Sequence, residues 1–301
     1  VKIFVQFNVK NHKGENVAKQ SFNLNTSRRE AHMNTGQRWA LAIANTVLFI
    51  GVVAVNGLAN ALPINDVGTG ELSAEYPNLF VPAGITFSIW GIIYLLLAVY
   101  VIYALVTRGP ALERVGWWFA VSCAANIAWI FAWHYRLVGL SVLIMLGFLA
   151  VLIVIYLRLR RVRPGGSGGT GERANSVAGG RGPAWKLAVD LPFSVYLGWI
   201  TVATIANITA LLVSLGWQGF GLPEAVWTIV MIVIAAAIGI FVTYTRADPW
   251  YGLVLVWAFA GIVIKRVSAQ PLEAGVAVAA AAGAVLVLIA CVMRFPRWLR
   301  R

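Results

Sequence analysis
Apolar residues run along this chain in eight long blocks, separated by short polar, charged or glycine-rich gaps. A block of about 20 predominantly apolar residues is long enough to cross a bilayer as a helix. The pattern predicts spans over 39–62, 82–106, 115–133, 137–157, 187–213, 223–245, 249–264 and 272–293, the seventh being the shortest. The expected fold is therefore an all-α membrane protein of about eight transmembrane helices.

Two segments stand outside the blocks. Residues 1–32 carry four of the six lysines, whereas the remainder prefers arginine, and they lack the apolar core of a signal peptide. This change of composition suggests a disordered tail or a misplaced start, with Met33 as the alternative. Residues 158–183 contain PGGSGGTGER and AGGRGP, the composition of a flexible, solvated loop. The glycines lack the GxxxxGK[ST] spacing of a phosphate-binding loop.

Composition agrees with the pattern. Sixty per cent of the 301 residues are hydrophobic and the mean hydropathy is +0.78, too apolar for a water-soluble domain of this size. The net charge of +13 reads as a basic face beside anionic lipid, with no nucleic acid required. Lysine and arginine accumulate on cytoplasmic loops. With the N-terminus inside, only Arg136, Lys265 and Arg266 of the 24 basic residues fall on the outer side. The expectation is a multi-pass protein of a bacterial cell membrane with both termini cytoplasmic.

The spans are poor in chemistry. Asp190 and Glu224 lie close enough to span ends to reach the interface, no lysine is mid-span, and Cys123 and Cys291 fall in different spans. His134 ends span three, as an interfacial residue or, less simply, an axial haem ligand. Ionisable residues in hydrocarbon mark ion pathways and proton relays, so their scarcity disfavours an ion-coupled pump or a metal enzyme. What the spans do contain is asparagine and tryptophan. Asn45, Asn56 and Asn60 share one face of span one, and Asn126 and Asn207 sit in spans three and five. An amide there serves either as an interhelical hydrogen-bond clamp or as a ligand contact. Several tryptophans mark span ends, as an aromatic belt does. Trp90, Trp129 and Trp199 lie deeper, each with a small or polar neighbour one turn away, and fill either packing or pocket positions.

Three faces gather these residues at three- and four-residue spacing. They are Phe87, Trp90 and Tyr94; Asn126, Trp129 and Trp133; and Tyr196, Trp199, Ala203 and Asn207. Indole faces favour a planar π system, and Ala203 leaves space beside them. Three such faces suggest a pocket for a flat, apolar ligand.

The stretches PAGITFSIWGIIY from Pro82, NIAW from Asn126 and YLGWITVATIAN from Tyr196 resemble motifs in helices two, three and five of the translocator protein / tryptophan-rich sensory protein (TspO/MBR) family. The resemblance covers roughly residues 39–213 and implies a five-helix membrane bundle over 33–213, followed by a three-helix membrane extension over 214–301 similar to a longer bacterial branch. The family's second proline is absent beside Pro82, Phe87 is displaced by one position, and Pro192 stands four residues before Tyr196. The resemblance implies a ligand site lined by Trp90, Trp129, Trp199 and Ala203, supported by Tyr94, Asn126 and Asn207, under the 63–81 loop. It implies a porphyrin or haem as ligand with no required cofactor, and a sensor or receptor that is not an enzyme, although some members break porphyrins down in light. The alternative function is a transporter of a neutral amphipathic molecule. Expected partners are the lipid bilayer and a hydrophobic small molecule; Gly51 and Gly57 on span one permit close helix contact, either within the bundle or with a second copy in a homodimer.

Overall fold
The computed structural model describes residues 33–61, 64–160, 182–270 and 272–300. The expected tail over 1–32 and almost all of the glycine-rich loop lie outside the described residues, as does the Asn60 side chain. Eight long helices carry the described chain: α1 (Thr35–Ala61), α2 (Ile89–Thr107), α3 (Trp118–His134), α4 (Val138–Arg160), α5 (Leu191–Ser214), α6 (Glu224–Arg246), α7 (Pro249–Val267) and α8 (Ala274–Leu299). No strand occurs among the described residues.

Seven helical stretches are long and apolar enough to cross a membrane. The exception is α3, whose 17 residues reach about 25 Å at 1.5 Å per residue. The expected third span begins too early. Gly116, at φ +59°, ends a short helix over Pro110–Val115, and α3 starts afresh at Trp118. Span two also differs, because the chain over Gly84–Ser88 is wound as a 3₁₀ turn before α2 begins. The start of α5 is a wide turn over Lys186–Asp190, in which Leu191 N–H donates to Lys186 O. Pro192 follows, and without an N–H it cannot close the ordinary helical bond to Ala188.

The exposed positions on these helices are apolar. Ile43, Val47, Leu95, Leu143, Phe241 and Val278 are each more than half exposed. A surface of that kind fits hydrocarbon and not water, and the chain is a multi-pass membrane protein. At the centre runs α5, with every residue from 192 to 202 buried. It packs against α2 and α4 on one side and α7 on the other. Gly198 makes the α7 seam close: a β-carbon there would stand 3.0 Å from Tyr251 O and from Val254 Cβ. Around α7, helices α6 and α8 complete a three-helix group, while α1 and α3 flank α2 and α4.

One carboxylate joins the two groups. Asp248 is fully buried and accepts from Tyr156 Oη (2.8 Å), Arg160 Nη2 (2.6 Å) and Ser194 Oγ (2.6 Å). It thereby links the end of α4, the start of α5 and the α6–α7 turn. Removing one partner of a buried pair leaves the other uncompensated, at a cost of about 3–5 kcal/mol, whereas apolar replacement of both is far less harmful. Asp248→Ala is therefore expected to lower stability by about 3–5 kcal/mol in detergent unfolding, with Arg160→Met restoring part of it. Wild-type stability in Asp248→Ala would contradict this role.

Candidate functional site
An aromatic cluster lies where α2, α3 and α5 meet. Its hub is Trp90, with ring centroids of Tyr94, Trp129, Trp199 and Tyr196 at 5.7, 6.2, 6.1 and 6.4 Å. Tyr94 and Trp129 stack roughly parallel to it, while Trp199 and Tyr196 approach edge-on. Phe87, from the 3₁₀ turn preceding α2, meets Trp199 edge-on at 6.0 Å. Stacking continues from Trp129 to Trp133, which meets Tyr76 of the loop between α1 and α2 at a tilt of 46°. Such pairs add about 0.5–1.5 kcal/mol each beyond the area they bury.

Below the rings runs a chain of amides. Asn56 Nδ2 donates to Asn126 Oδ1 at 2.7 Å, and Asn126 Nδ2 donates to the Tyr196 hydroxyl at 3.3 Å. This fastens α1, α3 and α5 and fixes the Tyr196 ring. Asn126 is thus a clamp between helices at the base of the cluster. Two other polar groups have no such answer. The indole N–H groups of Trp129 and Trp199 are buried without a hydrogen-bond partner. Indole N–H can only donate, and a buried donor left unmatched costs about 1–3 kcal/mol.

The sequence-derived residues therefore divide. Trp90, Tyr94, Trp129 and Trp199 share the cluster, Asn126 supports it, and Ala203 is half-buried one turn along α5 from Trp199. Asn207, a further turn away, accepts from Ser141 Oγ of α4 at 3.2 Å and so joins two helices. That bond lies away from the rings. Asn45 is buried with both amide atoms unpartnered and makes no clamp.

The loop closes over one end of the cluster. Trp133 Nε1 donates to Thr69 O. His134, at the end of α3, is buried against the loop. Its Nδ1 lies 3.0 Å from Ile64 O and its Nε2 3.0 Å from Thr69 Oγ1. A carbonyl only accepts, so Nδ1 carries the proton and Nε2 accepts from the threonine. Both nitrogens are engaged, leaving neither for an axial haem bond. Arg136 grips Glu75 with two bonds of 2.8 and 2.7 Å, which holds the Glu75 carboxyl below its usual pKa range. That tether is present at neutral pH and is lost as pH falls through the lowered pKa.

Sequence reasoning passed over Asp248, Thr69, Trp257 and Gly261. Asp-Pro at the head of a span is a helix-start signal, with aspartate as N-cap and proline at N1, and Asp248 Oδ1 does accept from Tyr251 N. Thr69, Trp257 and Gly261 carry no local signal, because their partners lie far away in sequence. Among the described residues, no three His, Cys, Asp or Glu side chains gather as a metal site. Cys123 and Cys291 are free and buried.

With this geometry in place, comparison with known proteins is specific. The family described as TSPO-like protein matches residues 42–293. The chain belongs to that family. The match runs past Val213 through α6 and α7 and most of α8, further than the motifs on which the resemblance rested. No curated protein and no solved structure matches the chain.

Asn126→Ala is expected to cost about 1–2 kcal/mol, the worth of two interhelical bonds in a membrane, read by unfolding in detergent. It should also shift the emission of the neighbouring tryptophans. Unchanged stability and emission would remove Asn126 from its clamping role.

Proposed function
We propose that this protein is a membrane receptor or sensor that binds a planar hydrophobic ligand, such as a porphyrin, among Trp90, Tyr94, Trp129 and Trp199. The observation that carries the reading is the pairing of stacked aromatic faces with unmatched donors. Trp129 and Trp199 offer N–H groups with no partner inside the protein. A ligand that suits them is flat, to slide against indole, and bears acceptor oxygens at its edge. A porphyrin carboxylate or a carbonyl meets both requirements. Trp90, Tyr94 and Ala203 are only part-buried, which leaves a side from which such a ligand could insert. Few convergent polar groups in an apolar setting is the usual composition of a small-molecule site.

Eight crossings with both termini cytoplasmic complete the proposal, with α3 spanning as a short helix. In support, Arg38, Arg108, Arg160, Arg246, Arg294 and Arg297 all fall at one end of the bundle, the side expected to face the cytoplasm of a bacterial cell. The chain binds its ligand and does not transform it, needs no resident cofactor, and pairs as a homodimer through the exposed α1 face at Gly57, Gly51 being turned toward Ile127 of α3. A transporter of a neutral amphipathic molecule would need a passage between the helix groups. The close α5–α7 seam at Gly198 lends that reading no support.

Quenching of intrinsic fluorescence by protoporphyrin, titrated on purified protein, tests the assignment. Trp199→Ala and Ala203→Phe are each expected to weaken binding about tenfold, equivalent to about 1.4 kcal/mol, without unfolding. Trp129→Phe keeps an aromatic face but removes the donor, and is expected to weaken a carboxylate-bearing porphyrin more than its ester. Unchanged affinity in all three would exclude this cluster as the site.

A further inference from the structure
The helices after residue 213 do more than extend the bundle. Three contacts run from them to the segment between Leu79 and Ser88, which carries Phe87 against Trp199. Leu79 N–H donates to Glu224 Oε1 of α6 at 2.8 Å. Ala83 N–H donates to Gly261 O of α7 at 3.0 Å. Trp257 Nε1 of α7 donates to Thr86 O at 2.9 Å. Gly261 has to be glycine for this approach, because a β-carbon there would overlap Thr86 Oγ1 and press on Pro82 Cβ.

Phe80, Val81 and Thr86 of the segment are buried, while its other hydrogen bonds are mostly local. Asn78 Oδ1 accepts from Phe80 N–H and Val81 N–H within the segment's own turn, and more distantly from Thr209 Oγ1 of α5 at 3.5 Å. Its first 3₁₀ turn closes by Thr86 N–H to Ala83 O. The first N–H groups of a helical segment have no partner within it, and here α7 supplies a carbonyl to one at Ala83. Phe87 covers the edge of Trp199, so displacing this segment uncovers the aromatic cluster. Its position is therefore set from the three-helix group.

We infer that Trp257, Gly261 and Glu224 are positioning residues for the aromatic site: they strap the Phe87 segment over it and set the rate at which a planar ligand exchanges. The inference rests on the proposed binding site, and it assigns α6 and α7 a role in that binding. Release of ligand requires the segment to move, and each strap lost makes that movement easier. None of the three residues need touch the ligand. Their removal should raise the dissociation rate more than it changes the chemical selectivity of the site.

The test uses the full chain in detergent, with two readouts. Hydrogen exchange is followed at residues 79–88, and protoporphyrin dissociation is followed by recovery of tryptophan emission. Trp257→Phe and Glu224→Ala are expected to lose amide protection at Ala83 and Leu79 respectively, while protection in the body of α2 persists. Each should speed dissociation about three- to tenfold, the worth of one hydrogen bond. Glu224→Gln retains an acceptor oxygen and should restore wild-type exchange and dissociation, a rescue that a general loss of stability would not give. Gly261→Ala should loosen the segment most; if it fails to fold, the other variants carry the test. Loosened amides with an unchanged dissociation rate would overturn the inference, as would unchanged amides in both variants. If wild-type protein is not quenched by protoporphyrin, the binding reading fails and the role in ligand exchange falls with it. The amide readout still reports separately whether the straps hold.

Discussion
Inside a hydrocarbon slab no water answers a polar group, so every donor and acceptor must find its partner within the protein. Most of this architecture follows from how that requirement is met. Asp248 is met by Tyr156, Arg160 and Ser194, and the three bonds fasten α4, α5 and the α6–α7 turn at one point. Asn126 is met by Asn56 and Tyr196, which ties α1, α3 and α5. His134 is met by two loop groups, which fixes the loop against the end of α3. Against this background the unmatched donors of Trp129 and Trp199 stand out. Other buried groups also lack partners, Asn45 and Tyr100 among them. What distinguishes the cluster is that its unmatched donors lie among stacked aromatic faces contributed by three helices.

The second organising element is α5. A helix buried all round presents different faces to different neighbours. Tyr196 and Trp199 meet the α2 hub ring, whereas Gly198 and Thr201 meet α7, where Tyr251 Oη donates to Thr201 Oγ1. The aromatic site and the seam with the last three helices are thus two sides of one rigid rod. The family match across both helix groups agrees with their being built together.

Much of the fold was legible in the sequence because lipid imposes a simple rule on length and composition. Seven of the eight apolar blocks coincide with helices long and apolar enough to cross a membrane, and the differences fall where backbone geometry overrides composition. Gly116 breaks a block that hydropathy reads as continuous, the 84–88 turn is 3₁₀, and Pro192 widens the entry to α5. The cluster residues were legible because each face repeats at helical spacing and carries rings large enough to find one another across helices. Asn207 shows the limit of that reasoning. It lies on the same face as Trp199, yet α4 offers Ser141 nearby and the amide bonds there. Asp248 was hidden for the opposite reason. Its role depends on Arg160, 88 positions away, and on Ser194, 54 away. The strap formed by Trp257 and Gly261 is likewise a contact between distant segments, invisible to any local pattern.

The central claim is that the unmatched indole donors of Trp129 and Trp199 exist to meet a ligand. Nuclear magnetic resonance of nitrogen-labelled indoles reads those N–H groups directly, with single tryptophan replacements to assign them. On saturation with protoporphyrin, the account predicts that the Trp129 and Trp199 indole protons move to hydrogen-bonded positions while that of the peripheral Trp39 stays in place. Saturable binding that leaves both resonances where they were would contradict it.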